Sequence, residues 1–518
     1  MNAETRPTTN PPRLTAALIV RDAQASLPGT LEGVRGWADE IVVVDTGSAD
    51  YTRDVARRYT PKVLGYRWDD DFSAARNAAL AAAQGEWVLW LDAGETLAPR
   101  EASFIRGWLE GQTTQDHVGL LFISVPPARP EGSVERVARA RLQPRVPGLT
   151  FAGRVAESLA PAARRLGITE QLLDATLCRT AVEHVPETKR RRAQRNIRLA
   201  ELEIADRGPS PRMSIVIGEA RLDLGQFDQA AAAFRRALET SVRGSLDALW
   251  AYYGLLTTFE SVPAAGEAQL ATCLQALESF PFDAQLLCAM GNYLQLRDRF
   301  DLAARSFETA FRFGQVHPEL WHLDDLTAVA GAARGLALQL AGQEAEAESA
   351  LREAIESLPD DPRLRRRLGE LYIQQGNQRA AVEQFGRLRL PATELDPLKS
   401  AVRGACLAAK QNWAAALSYL KAAFDEGCRD LVALRWYTLS LLATEAFATA
   451  RQVLEAWKTI DPESGEAARF REFLERQGPA LVLETDAEGR TLRVDPADTP
   501  PGAPLRGARA AKPEESSR

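Results

Sequence analysis

Glycines 335, 369 and 404 stand 34 and 35 residues apart, and each heads the same string of small and large residues. Gly335 is followed by Ala347, Leu351 and Ala354, Gly369 by Ala381, Phe385 and Leu388, and Gly404 by Ala416, Leu420 and Ala423. The same steps of 12, 4 and 3 occur earlier, at Gly218, Ala230, Phe234 and Ala237 and at Gly291, Ala303, Phe307 and Ala310. Steps of three and four keep residues on one face of a helix. A unit this short cannot bury its own apolar face, so copies must stack into a solenoid of paired helices. The small residues let two helices cross closely, and the large ones fill the space between pairs. A degenerate unit at 254–281 and a last one at Ala450, Leu454 and Pro462 bring the expected number to about seven, over 211–465. Helices should account for all of that span.

The chain before residue 187 follows a different grammar. The apolar run at 14–20 ends in Arg21 and Asp22. A second run, 41–44, ends in Asp45-Thr46-Gly47-Ser48, and a third, 87–91, ends in Asp92-Ala93-Gly94-Glu95. Short unbroken apolar runs suit strands buried on both faces of a parallel sheet. Segments of helical spacing at 26–37, 51–59 and 74–84 lie between them, with a short strand expected at 62–66. Alternation of this kind implies right-handed βαβ units in a doubly wound, Rossmann-like sheet. A helix at 100–109 and strands at 118–125 and 137–143 complete the expected α/β domain. Strands ending in Asp45 and Asp92 are expected to be neighbours, with both carboxylates in one cleft at the carboxyl edge, where open sheets bind ligands. The expected divisions are a disordered start at 1–13, the α/β domain at 14–186, a linker helix at 187–210, the all-α repeats at 211–465 and a mostly disordered extension at 466–518. A short strand is expected at 480–484.

The 518 residues exceed one ordinary core, and a net charge of −7 gives no nucleic-acid footprint. Residues 1–13 lack the apolar stretch of a secretory signal, and no run approaches the roughly 18 apolar residues of a membrane helix. Cys178, Cys273, Cys288, Cys406 and Cys428 form no C-x-x-C pair. They read as buried small hydrophobes in a reducing compartment, so a cytoplasmic location is expected.

Three separated words, in order, carry a resemblance. They are Asp39-Glu40-Ile41-Val42-Val43-Val44-Asp45-Thr46-Gly47-Ser48, then Trp68-Asp69-Asp70-Asp71-Phe72-Ser73-Ala74-Ala75-Arg76-Asn77, then Gly85-Glu86-Trp87-Val88-Leu89-Trp90-Leu91-Asp92-Ala93-Gly94-Glu95. A later echo is Phe151-Ala152-Gly153-Arg154-Val155-Ala156-Glu157. The stretch 18–97 resembles family 2 glycosyltransferases of the GT-A fold, in the branch where that domain precedes tetratricopeptide repeats. The resemblance extends over roughly the first 200 residues. It implies a nucleotide-sugar donor, with Asp45 on the base or ribose, Arg76 and Asn77 beside the donor, and Asp92 opening the D-x-D motif that holds a divalent metal, Mg or Mn, on the diphosphate. Glu157 is the candidate general base. His184 matches a histidine the family often carries.

The departures fall at the metal. The family's second aspartate is Gly94 here, its later histidine is Ala156, and its Lys-Asn-Glu after the first strand is Arg21-Asp22-Ala23. A hard cation needs several oxygen ligands, and Asp92 with a diphosphate is a poor cage. Metal dependence is therefore expected to be weak, with Glu95 or Asp22 as substitute ligands, or with Arg76 or the arginines at 190–192 meeting the charge instead. Restoring the family's residues, Gly94→Asp with Ala156→His, is expected to increase Mn²⁺-dependent donor binding.

Two readings remain. The first is a nucleotide-sugar-dependent, inverting glycosyltransferase whose repeats hold a protein or peptide acceptor, or a second copy of the chain. The second is a catalytically degenerate domain in a repeat scaffold that binds proteins.

Overall fold

A computed structural model describes residues 13–483, apart from 113, 128–131, 181–185, 263–264 and 463. His184, residues 1–12 of the expected disordered start and residues 484–518 of the expected extension lie outside the described residues. The chain divides into two units, Met1–Asp298 with Thr309–Thr327, and Arg299–Glu308 with Ala328–Arg518.

The first unit opens with β1 (Leu14–Val20), α1 (Leu27–Val34), β2 (Glu40–Asp45), α2 (Thr52–Arg57), β3 (Val63–Gly65), α3 (Phe72–Ala82) and β4 (Trp87–Leu91). It continues through β5 (Glu95–Leu97), α4 (Pro99–Gly111), β6 (His117–Val125), β7 (Glu135–Pro144), α5 (Ala160–Leu166) and β8 (Thr169–Arg179). The strand order is β3-β2-β1-β4-β7-β6-β8-β5. β3, β2, β1 and β4 run parallel, whereas β7 is antiparallel to both β4 and β6. The sheet is thus mixed beyond β4.

Each face of the parallel half has its own core. Leu14, Leu18, Val43, Leu89 and Leu91 pack on α1 and α4 through Leu27, Leu31 and Ile105. Ala17, Val42, Val44, Val88 and Trp90 pack on α3 and α5 through Ala79 and Ala162. Val88, Leu89 and Trp90 are fully buried. At roughly 1.5–3 kcal/mol per fully buried large apolar side chain, this strand anchors the edge that follows it. Gly85 precedes it because a Cβ there would lie 2.7 Å from the Thr15 backbone nitrogen.

β1 lies between β2 and β4, so the expected pairing of the strands ending in Asp45 and Asp92 does not occur. Asp45 pairs with Val20 and continues the face of Val43, and its side chain meets Arg53 of α2. Asp92 meets Arg76 of α3 and Arg141 of β7, on the face of Trp90. The two carboxylates leave one edge toward opposite faces, rather than sharing a cleft. The reason is topological: the chain's first strand takes the place between the two strands that carry them.

The first unit goes on through α6 (Pro186–Arg207), α7 (Pro211–Asp223), α8 (Phe227–Thr240), α9 (Leu246–Glu260), α10 (Gly266–Ser279) and α11 (Ala284–Gln295). α12 (Phe300–Phe313) contributes to both units, and β9 (His322–Leu323) pairs antiparallel with β7. The span 211–465 is therefore not purely helical: the segment before α13 reaches back to the sheet. Ala138 N–H donates to Pro318 O (2.6 Å), and Arg139 Nη1 donates to Glu319 O (2.6 Å).

The second unit holds α13 (Leu326–Leu340), whose first residues belong to the first unit, then α14 (Glu344–Ser357), α15 (Pro362–Gln374), α16 (Gln378–Gly386), α17 (Ala392–Ala409), α18 (Trp413–Asp425), α19 (Leu431–Ala443), α20 (Phe447–Ile460) and α21 (Gly465–Leu483). The repeat glycines sit at the helix crossings. A Cβ on Gly369 would lie 2.5 Å from Phe385, and one on Gly404 would lie 2.7 Å from Leu420. Gly218 meets Phe234 in the same way in the first unit. The glycine on one helix makes room for the large residue on the next. α21 buries Ala467, Phe470 and Leu474, with the Phe470 ring 6.0 Å from that of Trp457. The extension from 466 thus begins as a packed helix, and the strand expected at 480–484 is helical as far as Leu483. Four cysteines are buried as expected, but Cys178 on β8 is exposed.

Candidate active site

β4 ends at Leu91 and the chain turns at once, leaving Asp92 half-buried at the sheet edge. Its backbone N–H donates to Glu95 Oε2 (3.0 Å), which closes the turn. Glu95 opens β5 and is fully buried. Two ladders then deliver arginines to this turn. Leu89 of β4 pairs with Leu142 of β7, so Arg141 emerges beside the end of β4. Glu95 of β5 pairs with Arg179 of β8. Arg141 Nη2 donates to Asp92 Oδ2 (2.9 Å) and Glu95 Oε1 (2.7 Å). Arg179 Nη2 donates to Glu95 Oε1 (2.9 Å) and reaches Asp92 Oδ2 at 3.5 Å.

Arg76 arrives from α3. Asp71 caps that helix by accepting from Ala74 N–H (3.0 Å). The Arg76 guanidinium lies 5.3 Å from the Trp90 ring centroid and 5.5 Å from that of Phe151, within cation–π range. Its Nε donates to Glu157 Oε1 (2.7 Å), and its Nη2 reaches Asp92 Oδ1 at 3.4 Å. Glu157 sits in a tight turn closed by the Ala152–Ser158 bridge. Burial opposes charge on Asp92, but Arg141 and Arg76 outweigh it and hold the carboxyl far below the usual carboxylate range. Arg141 is likewise held above its ordinary value: burial works against the cation, and Asp92 and Glu95 prevail.

These residues open onto a cavity of about 820 Å³. Arg76, Asp92, Arg141, Glu157 and Arg179 line one part of it. Arg139, Arg212 of α7, Trp250 of α9 and Trp321 line another, so helices from the repeat region wall the same space as the sheet. Arg212 stacks on Trp250 at 4.1 Å, and Trp250 Nε1 donates to Glu219 Oε1 (2.7 Å). Burial, with Arg212 and Arg141 nearby, brings Arg139 down to about 10.

The other expected site residues are placed differently. Asn77 spends its amide on Phe151, donating from Nδ2 to the carbonyl (3.0 Å) and accepting at Oδ1 from the N–H (2.9 Å). It positions the segment beneath Arg76. Asp45 is fully buried, and its Oδ1 accepts from Gly47 N–H, Ser48 N–H (both 3.1 Å) and Arg53 Nε (2.6 Å). Burial raises its proton affinity, but Ser48, Arg53 and the turn amides bring it below the ordinary range. Asp45 Oδ2 is buried without a partner among the described residues. Asp22 accepts from Ala49 N–H (2.7 Å) and does not line the cavity. The arginines at 190–192 do not line it either.

A divalent cation fits this arrangement poorly. Arginines face both oxygens of Asp92, Glu95 is enclosed by two of them, and positions 94 and 156 supply no side-chain oxygen. No cluster of three His, Cys, Asp or Glu residues suited to a metal occurs among the described residues. The backbone opposes a simple restoration as well. Gly94 has φ +97° and Ala156 has φ +50°. Gly94 is pinned there by its N–H to Thr30 Oγ1 and by its carbonyl to Thr180 N–H, both 2.9 Å. An aspartate at 94 would be strained in that conformation, which works against a gain of Mn²⁺ binding from Gly94→Asp with Ala156→His.

Arg141 and Arg179 went unnoticed in the sequence. A signal existed for Arg141: with Arg139, it places two charges on one face of a strand whose other face carries Ala138, Ala140 and Leu142.

Residues 16–103 match the sequence model of glycosyl transferase family 2, and residues 211–241 and 338–401 match tetratricopeptide repeat models. The chain thus joins a segment similar to glycosyl transferase family 2 to a mostly helical region with segments similar to tetratricopeptide repeats. A TPR repeat-containing protein of Synechococcus elongatus is 39% identical over 130 residues, 25% of this chain and 30% of that one. The glycosyltransferase SunS of Bacillus subtilis is 34% identical over 84 residues, 16% of this chain and 20% of that one. The chain therefore spans less than a third of either relative. Among solved structures, yeast Tom70 is similar at 14% identity and a TM-score of 0.36, covering 58% of this chain and 61% of that one. The matched family segment contains Asp45, Arg76, Asn77 and Asp92 but ends before Arg141, Glu157 and Arg179.

Proposed function

We propose that the chain transfers a sugar from a nucleotide-sugar donor to a protein or peptide acceptor held by the repeats. The observation that carries this reading is the convergence of Asp92, Arg76 and Glu157, from three separate segments, on one cavity that the repeat helices help to wall. In the inverting reaction, an acceptor heteroatom attacks the anomeric carbon as the bond from that carbon to the diphosphate oxygen breaks. The electron pair of the broken bond stays on the diphosphate, and the acceptor's proton passes to Glu157. Asp45 and Asp92 are one strand apart on each side of β1, roughly 10 Å by two inter-strand spacings. A donor held at Asp92 would cross the end of β1 to bring its base or ribose to the Asp45 turn, where the buried Asp45 acts by holding Gly47 and Ser48 in place. Divalent metal has no assigned role in this scheme. Among the described residues no helix is long and apolar enough to cross a membrane, and the four buried thiols accord with a reducing, cytoplasmic setting.

A second reading has its own support. Asp92, Glu95 and Glu157 are all ion-paired within the chain, as in a domain that keeps its fold after losing its chemistry. Thermal-shift measurements with UDP-, GDP- and dTDP-sugars separate the two. A donor that raises the melting temperature supports transfer. No shift with any of them, with or without Mn²⁺, supports the scaffold.

A further inference from the structure

Building on the donor reading, we infer that Arg76, Arg141 and Arg179 hold the donor's diphosphate in the position that a divalent cation takes in the resembling family. The three guanidinium groups surround the carboxylate that would otherwise bind the ion. A cation at ligand distance from Asp92 would face all three. A diphosphate meets the opposite situation.

The arginines carry more donors than their carboxylates use. A guanidinium has five N–H groups in a planar fork. Arg141 and Arg179 each engage Asp92 and Glu95 through Nη2. Arg76 Nη1 and Arg141 Nε are buried with no acceptor among the described residues. Buried polar groups ordinarily find partners, so these surplus N–H groups mark where further oxygens belong. Phosphate oxygens suit them, because guanidinium binds phosphate in the same two-point manner as carboxylate.

The group is also preorganised and reachable. Arg141 and Arg179 stand on strands fixed by the β4–β7 and β5–β8 ladders, and Arg76 rests against the paired rings of Trp90 and Phe151. Asp92 is 38% exposed and Arg179 35%, so a ligand in the cavity can approach from that side. Charge that develops on the leaving diphosphate would meet fixed cations, which need no rearrangement at the moment of bond breaking.

The test is calorimetric titration of the full-length chain with UDP-, GDP- and dTDP-sugars, first in EDTA and then in Mn²⁺. At least one donor should bind in EDTA, with affinity within about threefold of that in Mn²⁺. Arg179→Ala should weaken that binding about tenfold or more, as loss of a charged hydrogen bond does, while Arg179→Lys retains part of it. Circular dichroism confirms that each variant is folded. The wild-type comparison of EDTA with Mn²⁺ needs no variant. Binding that EDTA abolishes, or that Arg179→Ala leaves unchanged, overturns the arginine assignment and leaves the donor reading standing. Binding of no donor under either condition overturns both.

Discussion

Arg179 lies directly across the β5–β8 ladder from Glu95, and its guanidinium bonds that buried carboxylate at 2.9 Å. Arg141 reaches the same oxygen at 2.7 Å from the other side. One carboxylate that solvent cannot reach thus holds two arginines in the lining of the cavity. Glu95 acts through them, as a positioning residue, and itself lies outside the cavity lining.

Replacing Glu95 by Gln should therefore destabilise the first unit. The two arginines would keep only Asp92 as a shared counter-charge, and the loss of charged hydrogen bonds of this kind typically costs about 1.5–3 kcal/mol. Urea unfolding followed by tryptophan fluorescence should show an earlier first transition, with the transition of the second unit unmoved.

At the repeat crossings, the variant Gly369→Val should fail to accommodate the Phe385 ring, which already sits where a Cβ would go. Ala381→Leu tests the same packing from the neighbouring helix, at a position with no exposure. Each should cost roughly 1–3 kcal/mol through overpacking. Their melting curves should shift in the second unit alone.

The double variant Gly94→Asp, Ala156→His should lower the melting temperature and gain no stoichiometric Mn²⁺ binding. Strain at φ +97° and the three arginines both oppose it. Tight Mn²⁺ uptake in calorimetry would contradict this expectation.

A pH dependence should arise at the strap that carries β9. His322 is buried, accepts from Arg136 Nε at 3.2 Å and contacts Leu320 O through Nδ1 at 2.8 Å. Burial lowers its proton affinity and Arg136 adds to that, against Leu320 O and Asp324. With the folded pKa below the unfolded value of about 6.5, the unfolded chain binds the extra proton. The stability that His322 contributes is present above that value and falls as pH drops below it. Urea midpoints of the first unit should decline between pH 7 and pH 5, and His322→Gln should flatten that slope.

Sequence alone determined the two kinds of architecture in this protein, because both are written in local spacing. A 34-residue recurrence of small and large residues can be satisfied only by stacked helix pairs, and Gly369 and Phe385 meet as that recurrence requires. Apolar runs that end in Asp45 and Asp92 likewise marked the strands and their carboxyl ends. What lies around those ends was decided by pairing between distant segments. Arg141 and Arg179 are 49 and 87 residues from Asp92, and only ladder register brings them to it. The same register put β1 between β2 and β4 and sent Asp45 to the opposite face from Asp92. Local spacing reports which side of its own helix or strand a residue occupies. Neighbours across a sheet are chosen by the packing of the whole fold, and that choice surrounded Asp92 with arginines.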